Sequence, residues 1–124
     1  MASNETFPPT ARLHTPAEFS RVFEQRRSAS SQGLVLYACP NAGGPPRLGM
    51  SVSRRIGGAV VRNRWKRRLR EAFRRVRTQL PSGNDYVVVV RASSVPAGAA
   101  GARQVEATLV TLATRVVGRP GYRR

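Results

Sequence analysis

The sequence has few of the residues that disulfide formation, acid-base catalysis or membrane insertion requires. It contains one cysteine, Cys39, and one histidine, His14, among its 124 residues. A single cysteine excludes an internal disulfide and a cysteine-rich zinc site, so a reducing compartment is natural. The amino terminus lacks the apolar core of a signal peptide, and no apolar run approaches membrane-spanning length. We therefore expect a cytoplasmic protein without a membrane partner.

Acidic residues are also scarce. Six stand against 22 lysines and arginines, which gives a net charge of +16 and a sequence pI near 12.0. One aspartate, Asp85, and five scattered glutamates cannot supply the clustered carboxylates of a two-metal nuclease, and one histidine cannot form an acid-base pair. We predict no catalytic residue and no metal site on the protein. The charge points to a polyanionic partner, most commonly nucleic acid.

The length favours one domain. A chain of 124 residues can bury a real core but is too short for two domains. We predict a flexible amino-terminal tail over residues 1–11, a single domain over residues 12–117 and a basic carboxy-terminal tail over residues 118–124.

What the sequence has in abundance is positive charge on one helical stretch, Val61 to Val76. Its apolar residues recur at helical spacing and form one stripe of Val61, Trp65, Leu69, Ala72 and Val76. Phe73 lies at the margin of this stripe, and Leu80 extends it. The other positions up to Arg77 are cationic except for Asn63 and Glu71. Like charges at i,i+4 cost about 1 to 2 kcal/mol together, offset in part by pairing of Glu71 with Arg67 and Arg75. We expect an anion to cover this face; the alternative is a solvated charged surface.

The segment before this stretch predicts one helix and two strands. Thr15 suits a helix N-cap, with Pro16 at the first helical position and Glu18 completing a capping box. The apolar face of that helix carries Phe19, Val22 and Phe23. Residues 33–39 and 47–53 then alternate as strands do. If these strands pair as a hairpin, one face is apolar and the other presents Tyr37 beside a shallow polar floor that would admit an extended chain.

The segment after the basic stretch predicts a buried strand and a last helix. Residues 85–91 form a nearly continuous β-branched run, typical of a strand buried on both faces. Residues 93–101 read as a small-residue linker. The apolar positions of the last helix are Val105, Leu109, Leu112 and Val116. The predicted order is α-β-β-α-β-α, an α+β fold or mixed α/β sandwich with helices on one side of a small mixed sheet.

Residues 47–75, R-L-G-M-S-V-S-R-R-I-G-G-A-V-V-R-N-R-W-K-R-R-L-R-E-A-F-R-R, resemble the signature of the bacterial ribonuclease P protein component. The resemblance extends over roughly residues 12–117 through F-x-x-V-F at 19–23, L-x-L-Y at 34–37 and D-Y-V-V-V-V-R at 85–91. Two departures stand out. Arg26 and Arg27 occupy a region where the family commonly has glycine, and Arg54 and Arg55 replace two lysines.

This resemblance implies a fold, a function and two binding surfaces. The fold would be ribosomal protein S5 domain 2-like, with a left-handed βαβ crossover. The protein would be a subunit of the endoribonuclease that removes the 5′ leader from precursor tRNA, in which the RNA subunit catalyses the reaction with Mg²⁺. Contact with that RNA is assigned to Arg62, Asn63, Arg64, Lys66, Arg67, Arg68 and Arg70. The cleft for the single-stranded leader is assigned to Phe19, Phe23, Val35, Tyr37 and Ser51, with Arg54 and Arg55 near its rim.

Alternatives from other classes remain open on the residues alone. A ribosomal or other structural RNA-binding protein would share the charge and size but would not explain an aromatic groove beside the sheet. A DNA-binding module could use the basic helix, although charge on about two thirds of its circumference suits a wrapped phosphate surface better than one reading face. A self-sufficient ribonuclease is disfavoured by the counts of carboxylates and histidines.

Overall fold

The computed structural model describes residues 11 to 122, which form a four-stranded mixed sheet and three α-helices. In chain order the elements are α1 (Pro16–Glu24), β1 (Ser28–Ser31), β2 (Leu34–Pro40), β3 (Arg47–Ser51), α2 (Ala59–Val76), β4 (Asn84–Val90) and α3 (Gly98–Val117). The predicted α+β class is confirmed. The order contains one additional strand, β1, whose S-A-S-S sequence has little β propensity and was not predicted.

The sheet has the order β1-β2-β4-β3. β2 is antiparallel to β1 and β4, whereas β3 is parallel to β4. The hairpin considered for residues 33–39 and 47–53 does not form, because β4 lies between these two strands. β4 is the most buried strand of the sheet, because its central position covers it on both faces. β3 is left at the edge, where an isolated parallel bridge joins Leu48 to Arg12.

Helices cover both faces of the sheet, so the prediction that they lie on one side is also wrong. α2 and α3 pack on the first face, in a core that includes Leu36, Trp65 and Leu112. α1 packs on the opposite face, where Val22 joins Val87 in a smaller cluster. The central strand offers apolar side chains to both faces, which gives the apolar stripe of α1 a surface of its own.

The start of α1 follows the prediction, and its end explains one departure from the family pattern. The Thr15 hydroxyl accepts a bond from the Glu18 N–H (3.1 Å), and the Glu18 carboxylate accepts one from the Thr15 N–H (3.0 Å). After the C-cap residue Gln25, Arg26 adopts a φ of +54°. Glycine is the usual residue in this left-handed position after a helix, because it has no Cβ atom. Arg26 forms the same turn, but at a steric cost that glycine would not have.

Two helix boundaries differ from the predictions. α2 begins at Ala59, ahead of the predicted Val61, and ends at Val76. A 3₁₀ turn over Arg77–Gln79 follows, so Leu80, which was expected to extend the apolar stripe, is buried beyond the end of the helix. α3 begins at Gly98, inside the predicted linker. Within the described range, no helix combines the length and apolar character needed to cross a membrane.

The ends of the described chain contact the domain. Ala11, assigned to the amino-terminal tail, is fully buried, and residues 1–10 of that tail lie outside the described residues. In the predicted carboxy-terminal tail, the Tyr122 hydroxyl donates to Asn84 Oδ1 at 2.6 Å. Arg27 Nη2 donates to the Gly121 carbonyl at 3.3 Å, and residues 123–124 lie outside the described range. Residues 118–122 are therefore held against the sheet and the α1–β1 connection.

Candidate nucleic-acid interface

α2 has the two faces that its sequence predicts. The face buried against the core carries Trp65, Leu69, Ala72, Phe73 and Val76. Trp65 also donates from Nε1 to the Ala92 carbonyl at 2.9 Å, which joins α2 to the end of β4. On the other face Asn63, Arg64 and Arg67 are exposed. The partly exposed remainder of the predicted RNA-contacting set consists of Arg62, Lys66, Arg68 and Arg70.

The charge on this face has almost no partner within the domain. Glu71 pairs with Arg74 (2.5 Å) and Arg75 (3.1 Å), and the Arg74 bond is the main reason why the pKa of Glu71 is lowered. The predicted pair with Arg67 does not form. Of the seven predicted RNA-contacting residues, only Arg62 has a side-chain bond to a described residue, donating from Nε to the Gly57 carbonyl at 3.2 Å. The repulsion along α2 is therefore largely uncompensated within residues 11–122.

The seven residues do not all face the same way. Arg64, Arg67 and Arg68 line a cavity of about 470 Å³ together with Glu71, and its other wall is the segment 95–98 that leads into α3. Lys66 and Arg70 instead line a cavity of about 260 Å³ at the edge of β3, together with Phe19. The helix thus presents one group of cations toward α3 and another toward α1.

The opposite face of the sheet carries the predicted cleft residues in register. Tyr37 and Gly49 stand on either side of Val87, and Val35 and Ser51 stand on either side of Val89. Val87 is buried, whereas Val35, Val89 and Ser51 remain partly exposed. These three residues form a strip that we call the open sheet face. Its floor is more apolar than predicted, since β4 inserts valines between the two expected strands.

An aromatic wall borders the open sheet face. The Phe19 and Phe23 ring centroids lie 6.5 Å apart, and the Phe23 ring meets that of Tyr37 edge-on at 4.9 Å. Gly49 makes this arrangement possible, because a Cβ atom there would lie 2.7 Å from Cζ of Phe19. All three rings are only partly buried. The predicted set is thus brought together, with α1 as the wall and the sheet as the floor.

A buried ion cluster fixes α1 to the sheet and was not predicted. The fully buried Asp85 carboxylate accepts two bonds from Arg47, at 2.8 and 2.7 Å, and one from Asn41 at 2.9 Å. Arg21, on α1, donates to the same carboxylate. Bonding to Asp85 raises the pKa of Arg47. The only aspartate of the chain thus anchors the helix that carries the aromatic wall.

The same cluster contains the lone cysteine. Arg21 Nη1 lies 2.9 Å from Cys39 Sγ, and burial raises the pKa of this thiol. Cys39 is therefore a buried neutral side chain next to the ion cluster. Across residues 11–122, no three His, Cys, Asp or Glu side chains gather as a metal site would require.

The two predicted rim residues, Arg54 and Arg55, do not border the same cavity. Arg55 and Ser51 border a cavity of about 480 Å³ with Val89 and Arg91. Arg54 is exposed in the same 3₁₀ turn but does not line this cavity. Val89 and Arg91 were not predicted as site residues. Their run of β-branched residues indicated only a strand, and the sequence carried no sign that this strand lies between β2 and β3.

Together these features define a class of protein: a small, strongly basic α+β domain with an uncompensated cationic helix on one face of its sheet and an aromatic-walled strip on the other. A family model described as ribonuclease P matches residues 7–117. The chain belongs to the ribonuclease P protein component family.

Individual relatives agree with this family. The ribonuclease P protein component of Xylella fastidiosa is 50% identical over 92 residues, which cover 73% of this chain and 67% of that protein. The matches to three further relatives cover 62 to 66% of their lengths. The solved structure of the Thermotoga maritima RNase P protein is 30% identical, with a TM-score of 0.71 over 86% of this chain and 98% of that one. A Staphylococcus aureus RNase P protein mutant with defective mRNA degradation activity is 28% identical, with a TM-score of 0.69 over 87% and 86%.

Proposed function

We propose that this chain is the RNA-binding protein subunit of ribonuclease P, which assists a catalytic RNA in removing the 5′ leader from precursor tRNA. In this proposal the cations of α2 bind the RNA subunit, and the open sheet face with its aromatic wall binds the single-stranded leader. The observation that carries it is the presence of two chemically different surfaces on opposite faces of one sheet.

The α2 surface suits a folded RNA. Arginine donates in a planar fork that matches phosphate oxygens, and the side chains of six of the seven predicted contact residues form no hydrogen bond or ion pair with residues 11–122. The cations spread around the helix toward both α3 and α1. This distribution favours a phosphate surface that wraps the helix over a single groove of a duplex.

The open sheet face suits an unpaired strand. Single-stranded bases stack on aromatic side chains, and Phe19, Phe23 and Tyr37 present partly exposed rings at its border. The floor of Val35, Val89 and Ser51 has small side chains, so an extended strand can approach it closely. A ribosomal or other structural RNA-binding role, the alternative, gives no reason for this combination.

Three of the protein's six acidic residues have structural roles. Asp85 is held by Arg21, Arg47 and Asn41, Glu71 is paired with two arginines, and Glu18 caps α1. We assign the hydrolysis to the RNA subunit, with Mg²⁺ bound by RNA oxygens, for which it has high preference. The proposed compartment is the cytoplasm, where precursor tRNA and the RNA subunit would be present together.

Reconstitution tests this assignment. We expect the purified protein alone to leave precursor tRNA intact, and its mixture with a bacterial ribonuclease P RNA to release the leader at a Mg²⁺ concentration at which the RNA alone is slow. Leader release by the protein alone would overturn the assignment of catalysis. Because a Staphylococcus aureus RNase P protein mutant is described as having defective mRNA degradation activity, an unstructured mRNA should also be incubated with the protein alone in the same experiment.

Two variants separate the two surfaces. Tyr37→Ala should weaken holoenzyme binding of leader-bearing tRNA by about 1 to 3 kcal/mol, the usual value of one base-aromatic stack, and leave mature tRNA unaffected. Arg67→Gln should instead weaken the association of protein with RNA subunit and reduce its salt dependence. Equal losses of Tyr37→Ala on both tRNAs, with folding confirmed by circular dichroism, would reject the leader site. Unchanged assembly of Arg67→Gln, Arg68→Gln and the double variant would reject the α2 interface.

A further inference from the structure

We propose that residues 118–122 act as a strap that holds α1 against the sheet, with Tyr122 as its positioning residue. We call this segment the carboxy-terminal strap. The sequence predicted only a basic tail here, and neither of the two proposed RNA surfaces includes it. The inference concerns the free protein, and only its consequence for the leader rests on the proposed function.

The first part of the strap joins the edge strand to the connection that follows α1. Arg119 Nη1 donates to the Ser28 carbonyl of β1 at 2.5 Å. Arg27 donates from Nη2 to the Gly121 carbonyl at 3.3 Å, and its own carbonyl accepts from the Ala38 N–H at 3.1 Å. Gly121 has a φ of +87°, a conformation that glycine adopts without steric cost. The connection after α1 is thus bonded to β2 through its backbone and to the strap through a side chain.

The last residue of the strap bonds to a buried side chain. The Tyr122 hydroxyl donates at 2.6 Å to Oδ1 of Asn84, the fully buried first residue of β4. The amide nitrogen of Asn84 donates to the Ser82 carbonyl at 2.9 Å, and the Tyr122 ring packs against the core beneath α2 and α3. Removing the Tyr122 hydroxyl would take this donor from a buried acceptor, which is costly because such an oxygen has little access to water.

Asn84 connects the strap to the ion cluster that anchors α1. The next residue of β4 is Asp85, whose carboxylate is bound by Arg21 of α1 and by Arg47 of β3. A displacement of Asn84 would move the backbone of Asp85 and with it the point at which α1 is held. The strap therefore acts on α1 at two places, directly at Arg27 and indirectly through Asp85.

The lone cysteine can report whether α1 is attached. Cys39 is buried between α1 and the sheet, in the small cluster that contains Val22 and Val87. Arg21 Nη1 lies 2.9 Å from its sulfur. A thiol reagent therefore reaches Cys39 when α1 leaves the sheet or when the whole domain unfolds. Because the chain has one cysteine, the rate of its reaction measures these two events alone.

The test measures how fast the native free protein reacts with a chromogenic disulfide reagent at neutral pH. Tyr122→Phe keeps the ring and removes the hydroxyl, and its thiol should react roughly 5- to 30-fold faster than that of the wild type, as expected for one unpaired buried acceptor. A chain that ends at Val117 should react faster still. The matched control is a chain that ends at Tyr122, which loses two arginines but keeps the strap and should react at the wild-type rate.

A second control separates local opening of α1 from general destabilisation. Val105→Ala shortens a buried side chain of α3, in the core on the other face of the sheet from α1. In urea unfolding it should lose at least as much stability as Tyr122→Phe, yet leave the thiol rate close to that of the wild type. A wild-type rate for Tyr122→Phe, or a rise no larger than that of Val105→Ala, would overturn the strap.

Under the proposed function, the strap also positions the aromatic wall. In the reconstituted holoenzyme, Tyr122→Phe should reduce the ratio of affinities for leader-bearing and mature tRNA by roughly 2- to 5-fold, less than the loss of a whole base-aromatic stack. If the wild type does not discriminate between the two tRNAs, the proposed leader site fails, while the thiol rates still decide the strap. If the wild type discriminates and Tyr122→Phe keeps the full ratio, the strap does not position the leader site.

Discussion

Removing the charge of Asp85 should destabilise the protein far more than removing any surface charge. Asp85→Asn keeps the shape of the side chain but leaves Arg21 and Arg47 without their shared carboxylate. Breaking a buried ion pair by changing one partner costs about 3 to 5 kcal/mol. Because the Arg21 and Arg47 side chains are 40% and 30% exposed and can be rehydrated, we expect a smaller loss of about 2 to 3 kcal/mol.

Urea unfolding followed by circular dichroism measures this loss. The matched control is Glu71→Gln, which also removes a carboxylate shared by two arginines, but at a side chain that is 44% exposed. Its cost should be about 0 to 1 kcal/mol. A loss for Asp85→Asn no larger than that of Glu71→Gln would refute the reasoning.

A double-mutant cycle then isolates the pairing itself. Arg47→Gln and Asp85→Asn should be non-additive by at least about 1 kcal/mol, since each variant already removes the bonds that the other would remove. Strict additivity would mean that Asp85 stabilises the fold by some route other than Arg47. Since Arg21 ties α1 to the same carboxylate, Asp85→Asn should also reduce the preference of the holoenzyme for leader-bearing tRNA.

Two further predictions concern α1. Arg26→Gly should stabilise the protein by about 0.5 to 1 kcal/mol in urea unfolding, because Arg26 has a φ of +54°; Arg26→Ala, which keeps the strain, should not, and a destabilised glycine variant would contradict this. The N–H groups of His14 and Thr15 lower the pKa of Glu18 below its ordinary value of 4.5, so the stability that Glu18 contributes is present above that pH and is lost as the pH falls through the lowered pKa. Glu18→Gln should therefore lose less stability than the wild type between neutral pH and acid, and parallel pH curves would contradict the assignment.

Local patterns predicted the parts of the molecule that local physics determines. The capping box at Thr15 and Glu18 formed because its bonds lie within one turn. The apolar stripe of α2 is buried from Trp65 to Val76, as its period required, whereas Val61 is only partly buried. The cleft residues came from a resemblance, and the structure gathers their aromatic members. The errors lie in long-range pairing. The alternation of β2 and β3 shows which side chains share a face, but it contains no information about which strand lies beside which.

The position of β4 between β2 and β3 explains most of the features that the sequence did not predict. With β4 between β2 and β3, the open sheet face gains Val89 as its floor and Arg91 at its end, and Asp85 comes opposite both Cys39 and Arg47. A β2–β3 hairpin would have placed Tyr37 beside a polar floor and left Asp85 without that site.

α2 connects β3 to β4 and crosses one face of the sheet, whereas α1 packs on the other face. The two helices approach one another at the edge of β3, where Phe19 and Lys66 line one cavity. Under the proposed function, the RNA subunit and the leader are therefore bound on opposite faces and do not compete for the same side chains. Substitutions deep in either surface should then act independently, and coupling should be confined to residues at the β3 edge, because distant sites without shared contacts are generally additive.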